Sequence, residues 1–115
     1  MAVRRDPYVH EAVLRIAEGI DLAAPGAAVT VELCGHWKHE GGCRWPHNNE
    51  IRDGGDAATF RTVFIAPAAE EREARGRIES ALRSAPGWVV AAGGPRPLRP
   101  DEQALAARLA DTPLP

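Results

Sequence analysis

The residues best suited to chemistry are concentrated in one short stretch, 34–49. It holds both cysteines and three of the four histidines of the 115-residue chain. Thiolate sulfur and imidazole nitrogen together suit zinc first, and copper or iron next. The stretch therefore predicts a metal site in a loop, with zinc as the expected cofactor. The candidate ligands are Cys34, His36, His39, Cys43 and His47.

The spacing of these five residues leaves the ligand set open. A zinc site takes about four ligands at tetrahedral angles. Cys34, Cys43 and His47 supply three, and either His36 or His39 supplies the fourth. The usual paired C-x-x-C knuckles are absent from the sequence. Two other interpretations also stay open: a disulfide between Cys34 and Cys43, or a reactive thiol activated by a neighbouring histidine.

Two roles are compatible with a bound metal. A closed site with four protein ligands would tie the long loop to the fold and contribute folding energy. An open site with three would leave a position for water or substrate, with Glu40 or Glu50 as a general base. We expect the closed form, in a metal-binding protein whose Cys/His loop organises a surface for a protein or small-molecule partner. A small metalloenzyme acting on a small molecule is the alternative.

Aromatic and basic side chains lie among the ligands. Trp37 and Trp45 are expected to shield the site from water. With Lys38 and Arg44 they could also form a small anion or nucleic-acid surface, which makes a zinc-dependent nucleic-acid binder the second alternative. The net charge of −2 argues against nucleic acid as a partner.

Length and composition predict one domain over residues 1–115, large enough for a single core. No apolar run approaches the roughly 20 residues that span a bilayer, so no membrane association is expected. The start of the chain lacks the apolar segment of a signal peptide. The expected compartment is the cytoplasm, where two cysteines are more often reduced and metal-bound than joined in a disulfide.

The first half of the chain predicts a helix followed by a strand. Val9, Val13, Ile16 and Ile20 form an apolar stripe at helical spacing, which predicts a helix over 7–20. Residues 22–28, with Pro25-Gly26, predict a turn. The alternation from Val29 to Leu33 predicts a strand that leads into the ligand loop.

The second half predicts a turn, two strands and two helices. The helix predicted over 67–84 carries acidic residues in its first turns and basic residues in its last turns, as the helix dipole favours. The Pro-rich end of the chain predicts a frayed tail at 112–115. The predicted elements are a turn over 51–57, strands over 58–66 and 88–92, and helices over 67–84 and 100–111.

The predicted order α-β-β-α-β-α indicates a small two-layer α+β sandwich. Its first two strands pair as an antiparallel hairpin around the metal-binding loop, and the third joins through a right-handed βαβ crossover into a three-stranded mixed sheet. This resembles a truncated ferredoxin-like fold that lacks its first strand and has an extra C-terminal helix. The resemblance concerns architecture and implies no function. A homodimer through the sheet or the last helix is compatible with the sequence.

Overall fold

The structure, a computed structural model, describes residues 4–34 and 44–112. In these two stretches the chain forms four β-strands and three α-helices. Short 3-10 turns at Ala68–Glu70 and Pro100–Glu102 lead into the second and third helices. The elements are β1 (Asp6–Ile16), α1 (Ala24–Cys34), β2 (His47–Asp53), β3 (Ala58–Ala66), α2 (Glu71–Arg83), β4 (Trp88–Arg96) and α3 (Gln103–Ala110).

The four strands form one sheet in the order β2-β3-β1-β4, and all neighbouring strands are antiparallel. β3 and β4 run in the same direction, with β1 inserted between them, so α2 connects two strands that do not touch. This is a split βαβ arrangement. The α+β class is confirmed. The three-stranded mixed sheet and the missing first strand were wrong, because residues 6–16 and 47–53 are strands.

The predicted helix over 7–20 is the central strand β1. Its two edges pair with β3 and β4. Both of its faces are also covered, because Ala12 and Leu14 belong to the core on one face of the sheet and Val9 belongs to the core on the other. A strand buried on both faces carries apolar residues without strict alternation, and here the run fell by chance into a helical spacing. The β-branched Val9, Val13 and Ile16 were the signal for a strand.

The predicted turn and strand over 22–33 are the helix α1. Pro25 lies in its first turn, where a missing backbone N–H costs no hydrogen bond. Pro25, Val29 and Leu33 are its buried residues and follow one another every four positions, as one face of a helix requires. Packing of this face overrides the strand preference of the β-branched residues.

The later elements were predicted more closely. β3 has the predicted bounds, α2 lies within 67–84, α3 lies within 100–111, and β4 extends four residues past its predicted end. β2 and β3 form a hairpin through residues 54–57, where the Gly54 N–H donates to the Ala57 carbonyl at 2.9 Å. Gly55 has φ = +90°, which glycine adopts without strain. Of the predicted frayed tail, Thr112 accepts a hydrogen bond from Arg5, and 113–115 lie outside the described residues.

The core has two parts, one on each face of the sheet. The larger part lies under α1 and α2 and includes Leu14, Trp45, Phe60, Phe64 and Ile78, all within 1% of full burial. The smaller part lies under α3, where Val9, Val63 and Ala106 meet. Within the described residues, no helix is both long enough and apolar enough to cross a membrane.

A buried ion pair attaches α3 to the sheet. Arg61 on β3 donates to both carboxylate oxygens of Glu102, each at 2.7 Å, and both side chains are at most 7% exposed. Arg61 also donates to Glu11 and to the Pro97 carbonyl, each at 2.8 Å. The hydrogen bond from Arg61 holds the pKa of Glu102 at about 2, well below its ordinary 4.5.

Candidate functional site

The end of α1 and the start of β2 bring two of the predicted site residues together. Thr30 and Cys34 are four residues apart on α1 and therefore share one face of the helix. His47 and Asn49 are two residues apart on β2 and share one face of the strand. These two faces meet, and side chains of all four residues form a continuous polar cluster beside the core.

Cys34 is the last residue of α1, is partly exposed, and is bonded in a disulfide. Its Sγ lies 3.9 Å from Nδ1 of His47. The sequence contains one other cysteine, Cys43, which lies outside the described residues. A disulfide at Cys34 agrees with an interpretation that the sequence left open, and not with the reduced, metal-bound state expected for it.

The histidine of this cluster is held by hydrogen bonds on both ring nitrogens. Nδ1 lies 3.0 Å from the carbonyl oxygen of Trp45, so Nδ1 carries the proton in the neutral ring. Nε2 then accepts from the hydroxyl of Thr30 at 2.9 Å. These contacts fix the tautomer that carries its proton on Nδ1. This N–H points to the Trp45 carbonyl, and the sulfur of Cys34 lies nearby.

Asn49 links this hydroxyl to the centre of the fold. Its Nδ2 donates to Thr30 Oγ1 at 3.1 Å and to the Gly26 carbonyl at 3.0 Å. Its Oδ1 accepts from the hydroxyl of the fully buried Thr62 on β3. The series Thr62, Asn49, Thr30 and His47 therefore runs from the buried sheet to the sulfur of Cys34. A connected network of this kind fixes the positions of its members.

The predicted metal-binding function is wrong. Within residues 4–34 and 44–112, no group of three or more His, Cys, Asp or Glu side chains could hold a metal ion. A disulfide-bonded sulfur is not the thiolate that a metal binds, and both nitrogens of His47 already have hydrogen-bond partners. The metalloenzyme and the zinc-dependent nucleic-acid binder fail with it. The ligand assignments of His36, His39 and Cys43 lie outside the described residues, and the choice among zinc, copper and iron is untested.

The residues predicted to surround a metal have other roles. Trp45 is 1% exposed, belongs to the main core, and donates from Nε1 to Glu70 at 3.0 Å. Arg44 lies over the Trp45 ring and pairs with Glu70 and Glu73, so its charge is balanced by acids. Glu50, proposed as a general base, pairs instead with arginines, one of them Arg99. Trp37, Lys38 and Glu40 lie outside the described residues.

The structure contains a second polar cluster that was not predicted from the sequence. His10, which lies within the predicted helix over 7–20, is 4% exposed on β1. Its Nε2 lies 2.6 Å from Glu79 on α2, and its Nδ1 lies 3.1 Å from Nη1 of Arg75. Because Arg75 can only donate, Nδ1 accepts and Nε2–H donates to Glu79. Only the correct assignment of residues 6–16 as a strand would have placed His10 on the face that α2 covers.

Burial and neighbouring charged groups shift the pKa values of His10 and Glu79. Burial lowers the pKa of His10 below 6.5, and this effect outweighs the hydrogen bond to Glu79 that raises it. Burial raises the pKa of Glu79, but hydrogen bonds from His10 and Arg83 outweigh that and bring it below 4.5. His10 is therefore neutral and Glu79 ionised at neutral pH.

Comparison with known protein families, with curated proteins and with solved structures gave no match to the chain.

Proposed function

We propose that the protein is a thiol–disulfide redox protein in which Cys34 is one of the two reacting cysteines. One observation carries the proposal. The sulfur of the disulfide-bonded Cys34 lies 3.9 Å from Nδ1 of His47, on an imidazole fixed by hydrogen bonds. We propose Cys43, the other cysteine of the sequence, as the second of the pair.

The exchange uses a small thiol reductant, R–SH. Its thiolate attacks the sulfur bonded to Cys34, a new S–S bond forms, and the bonding electron pair of the protein disulfide leaves on Sγ of Cys34. This thiolate takes a proton from water. A second R–SH then releases the mixed disulfide as R–S–S–R, and the protein is left with two thiols. Two electrons pass from two R–SH molecules to the protein.

His47 stabilises the leaving sulfur in this scheme. The single Nδ1–H donates to the Trp45 carbonyl at 3.0 Å and lies beside Sγ at 3.9 Å, so it can be shared with a thiolate that develops there, and such a hydrogen bond favours the charged form. Cys34 needs such a donor, because the C-terminus of a helix carries partial negative charge and disfavours a thiolate there. Thr30 and Asn49 hold the ring in the tautomer that places the proton on Nδ1.

The predicted cytoplasmic location bears on this proposal. Disulfides in a reducing compartment are usually transient and catalytic or sensing, whereas in an oxidising one they are usually structural. A cytoplasmic protein with a disulfide at Cys34 is therefore expected to cycle between oxidised and reduced states. The location and the predicted homodimer both stay predictions.

The test is the reduction potential. Wild-type protein is equilibrated in thiol–disulfide buffers, and its oxidised fraction is read by alkylation and mass spectrometry. Redox-active pairs lie at roughly −120 to −270 mV, whereas structural disulfides lie below about −300 mV. We expect the first range. In the variant His47→Gln the potential becomes more negative, and the Cys34 thiol reacts more slowly with iodoacetamide at pH 7, by roughly tenfold.

Asn48→Ala is the matched control, because Asn48 is the exposed neighbour of His47 and points to the other face of β2. It should leave both the potential and the alkylation rate unchanged. A wild-type potential below about −300 mV, with the same value in His47→Gln, would show that the disulfide is a structural staple and refute the redox function.

A further inference from the structure

The 3-10 turn before α2, the start of α2 and the end of β4 line an open cavity whose surface combines charged side chains with small apolar ones. Its volume is about 330 Å³, at the small end of the range for ligand sites. Ala68, Ala69 and Pro95 supply its apolar surface. Glu71, Arg72 and Arg75 supply the charged groups.

Arg75 is fixed in place by three described contacts. Its Nε donates to Glu71 at 2.7 Å, and its Nη1 donates to the Val9 carbonyl at 2.7 Å and to His10 at 3.1 Å. The guanidinium also lies over the Phe64 ring, 5.3 Å from its centroid. Among the described residues, none accepts a hydrogen bond from Nη2 of Arg75. A rigid guanidinium with an unused edge can bind an anion without first being ordered.

Arg72 differs from the other arginines of α2 because no described residue forms an ion pair with it. Arg77 and Arg83 each pair with a glutamate four residues earlier in the helix. The residue four before Arg72 is Ala68 and the residue four after it is Gly76, so its helical neighbours offer no carboxylate. Arg72 is exposed and lines the cavity.

We propose that this cavity binds a small organic molecule through a terminal oxyanion, a phosphate monoester or a carboxylate. Guanidinium groups bind both anions through paired N–H donors. Glu71 offsets one of the two positive charges, and the excess positive charge favours an anion over a neutral ligand. The alanine and proline walls contact the apolar body of the ligand. This site is independent of the redox function proposed for Cys34.

The test uses three probes with similar bodies: phenyl phosphate, benzoate and the neutral benzyl alcohol. Binding is followed by NMR, with the methyl signals of Ala68 and Ala69 as reporters of the cavity. We expect saturable binding of at least one anion with a Kd of about 1 mM or lower, and no saturation by the alcohol. The tighter of the two anions identifies the natural headgroup.

Variants of Arg72 test whether anions bind at this cavity or respond only to the overall charge of the protein. Arg72→Ala should weaken anion binding by roughly tenfold, as loss of a charge-assisted hydrogen bond predicts, and Arg72→Glu should abolish it. Arg77→Ala, which removes a paired arginine from the same helix, should change the Kd by less than about twofold. The proposal is overturned if neither anion saturates, if the alcohol binds equally well, or if Arg72→Glu binds like the wild type.

Discussion

Neutralising Glu102 tests whether the buried ion pair with Arg61 holds α3 on the sheet. The variant Glu102→Gln keeps the size of the side chain and removes its charge. It leaves the guanidinium of Arg61, 7% exposed, with Glu11 as its charged partner, and replaces two carboxylate acceptors by one amide oxygen and an NH2 group that cannot accept. The expected result is a large loss of stability from a change that touches no apolar contact.

The magnitude follows from two estimates that agree. Hydrogen bonds, first from Arg61 and then from the Arg99 backbone, lower the pKa of Glu102 from 4.5 to about 2, so Arg61 contributes up to about 3 kcal/mol in favour of the ionised form. Removing one member of a buried pair costs about 3–5 kcal/mol, and Glu11, still bound to Arg61, places this case at the lower end. Such a loss lowers the melting temperature by roughly 10 °C.

The measurement is chemical denaturation at pH 7 in urea, with the midpoint and slope fitted together. Asp101→Asn is the control, because Asp101 is 68% exposed and its pairing with Arg99 should contribute less than about 0.5 kcal/mol. The double variant Arg61→Met/Glu102→Met removes both charges of the pair, and Glu11 keeps Arg96 as a partner at 3.5 Å, so stability should exceed that of Glu102→Gln. A loss below about 1 kcal/mol in Glu102→Gln, or one equal to the control, would refute the reasoning.

Three further outcomes are expected. The pKa of His10 is lower in the folded chain than the 6.5 of the unfolded one, so the unfolded chain takes up the proton first and stability falls as pH drops below about 6.5. The pKa of Glu79 is also lowered by folding, so its contribution to stability is lost as pH falls below 4.5. In His10→Gln, the urea midpoint should change less between pH 7 and 5.5. Gly76→Ala should stabilise the protein by about 0.5–1 kcal/mol in thermal unfolding, since no atom lies within 4 Å of the added methyl group and alanine favours the helix interior. Gly93→Ala should destabilise it, because the Glu11 carbonyl oxygen lies 3.0 Å from the added carbon. A decrease in stability for Gly76→Ala would contradict the assignment of that position as open.

Local patterns predicted the second half of the fold because its elements follow simple rules. α2 has its acidic residues early and its basic residues late, and β3 is rich in aromatic and β-branched residues. The first half broke these rules. β1 is covered on both faces, so apolar and polar residues do not alternate strictly along it. α1 contains several β-branched residues but forms a helix because Pro25, Val29 and Leu33 pack on the core. These are tertiary effects that a local pattern does not contain.

The candidate site was predicted in part for a related reason. Cys34 and His47 do lie together, which their closeness in the sequence suggested. Thr30, Asn49 and Thr62 join them only because a helix face meets a strand face, and the sequence prediction had no helix at Thr30 and no strand at Asn49. Because residues 7–20 were predicted as a helix, the contact between His10 and Glu79, which are 69 residues apart in the sequence, was not predicted.

The central position of β1 has a consequence for biosynthesis. β1 leaves the ribosome before its two partners β3 and β4, and the last residue of β4 that pairs with it is Arg96. The sheet therefore cannot be completed until most of the chain has been synthesised. Until then an apolar segment lacks its neighbours, and its pairing must close long loops, which slows folding. During synthesis the chain therefore exposes an apolar strand, and exposed strands of this kind favour aggregation.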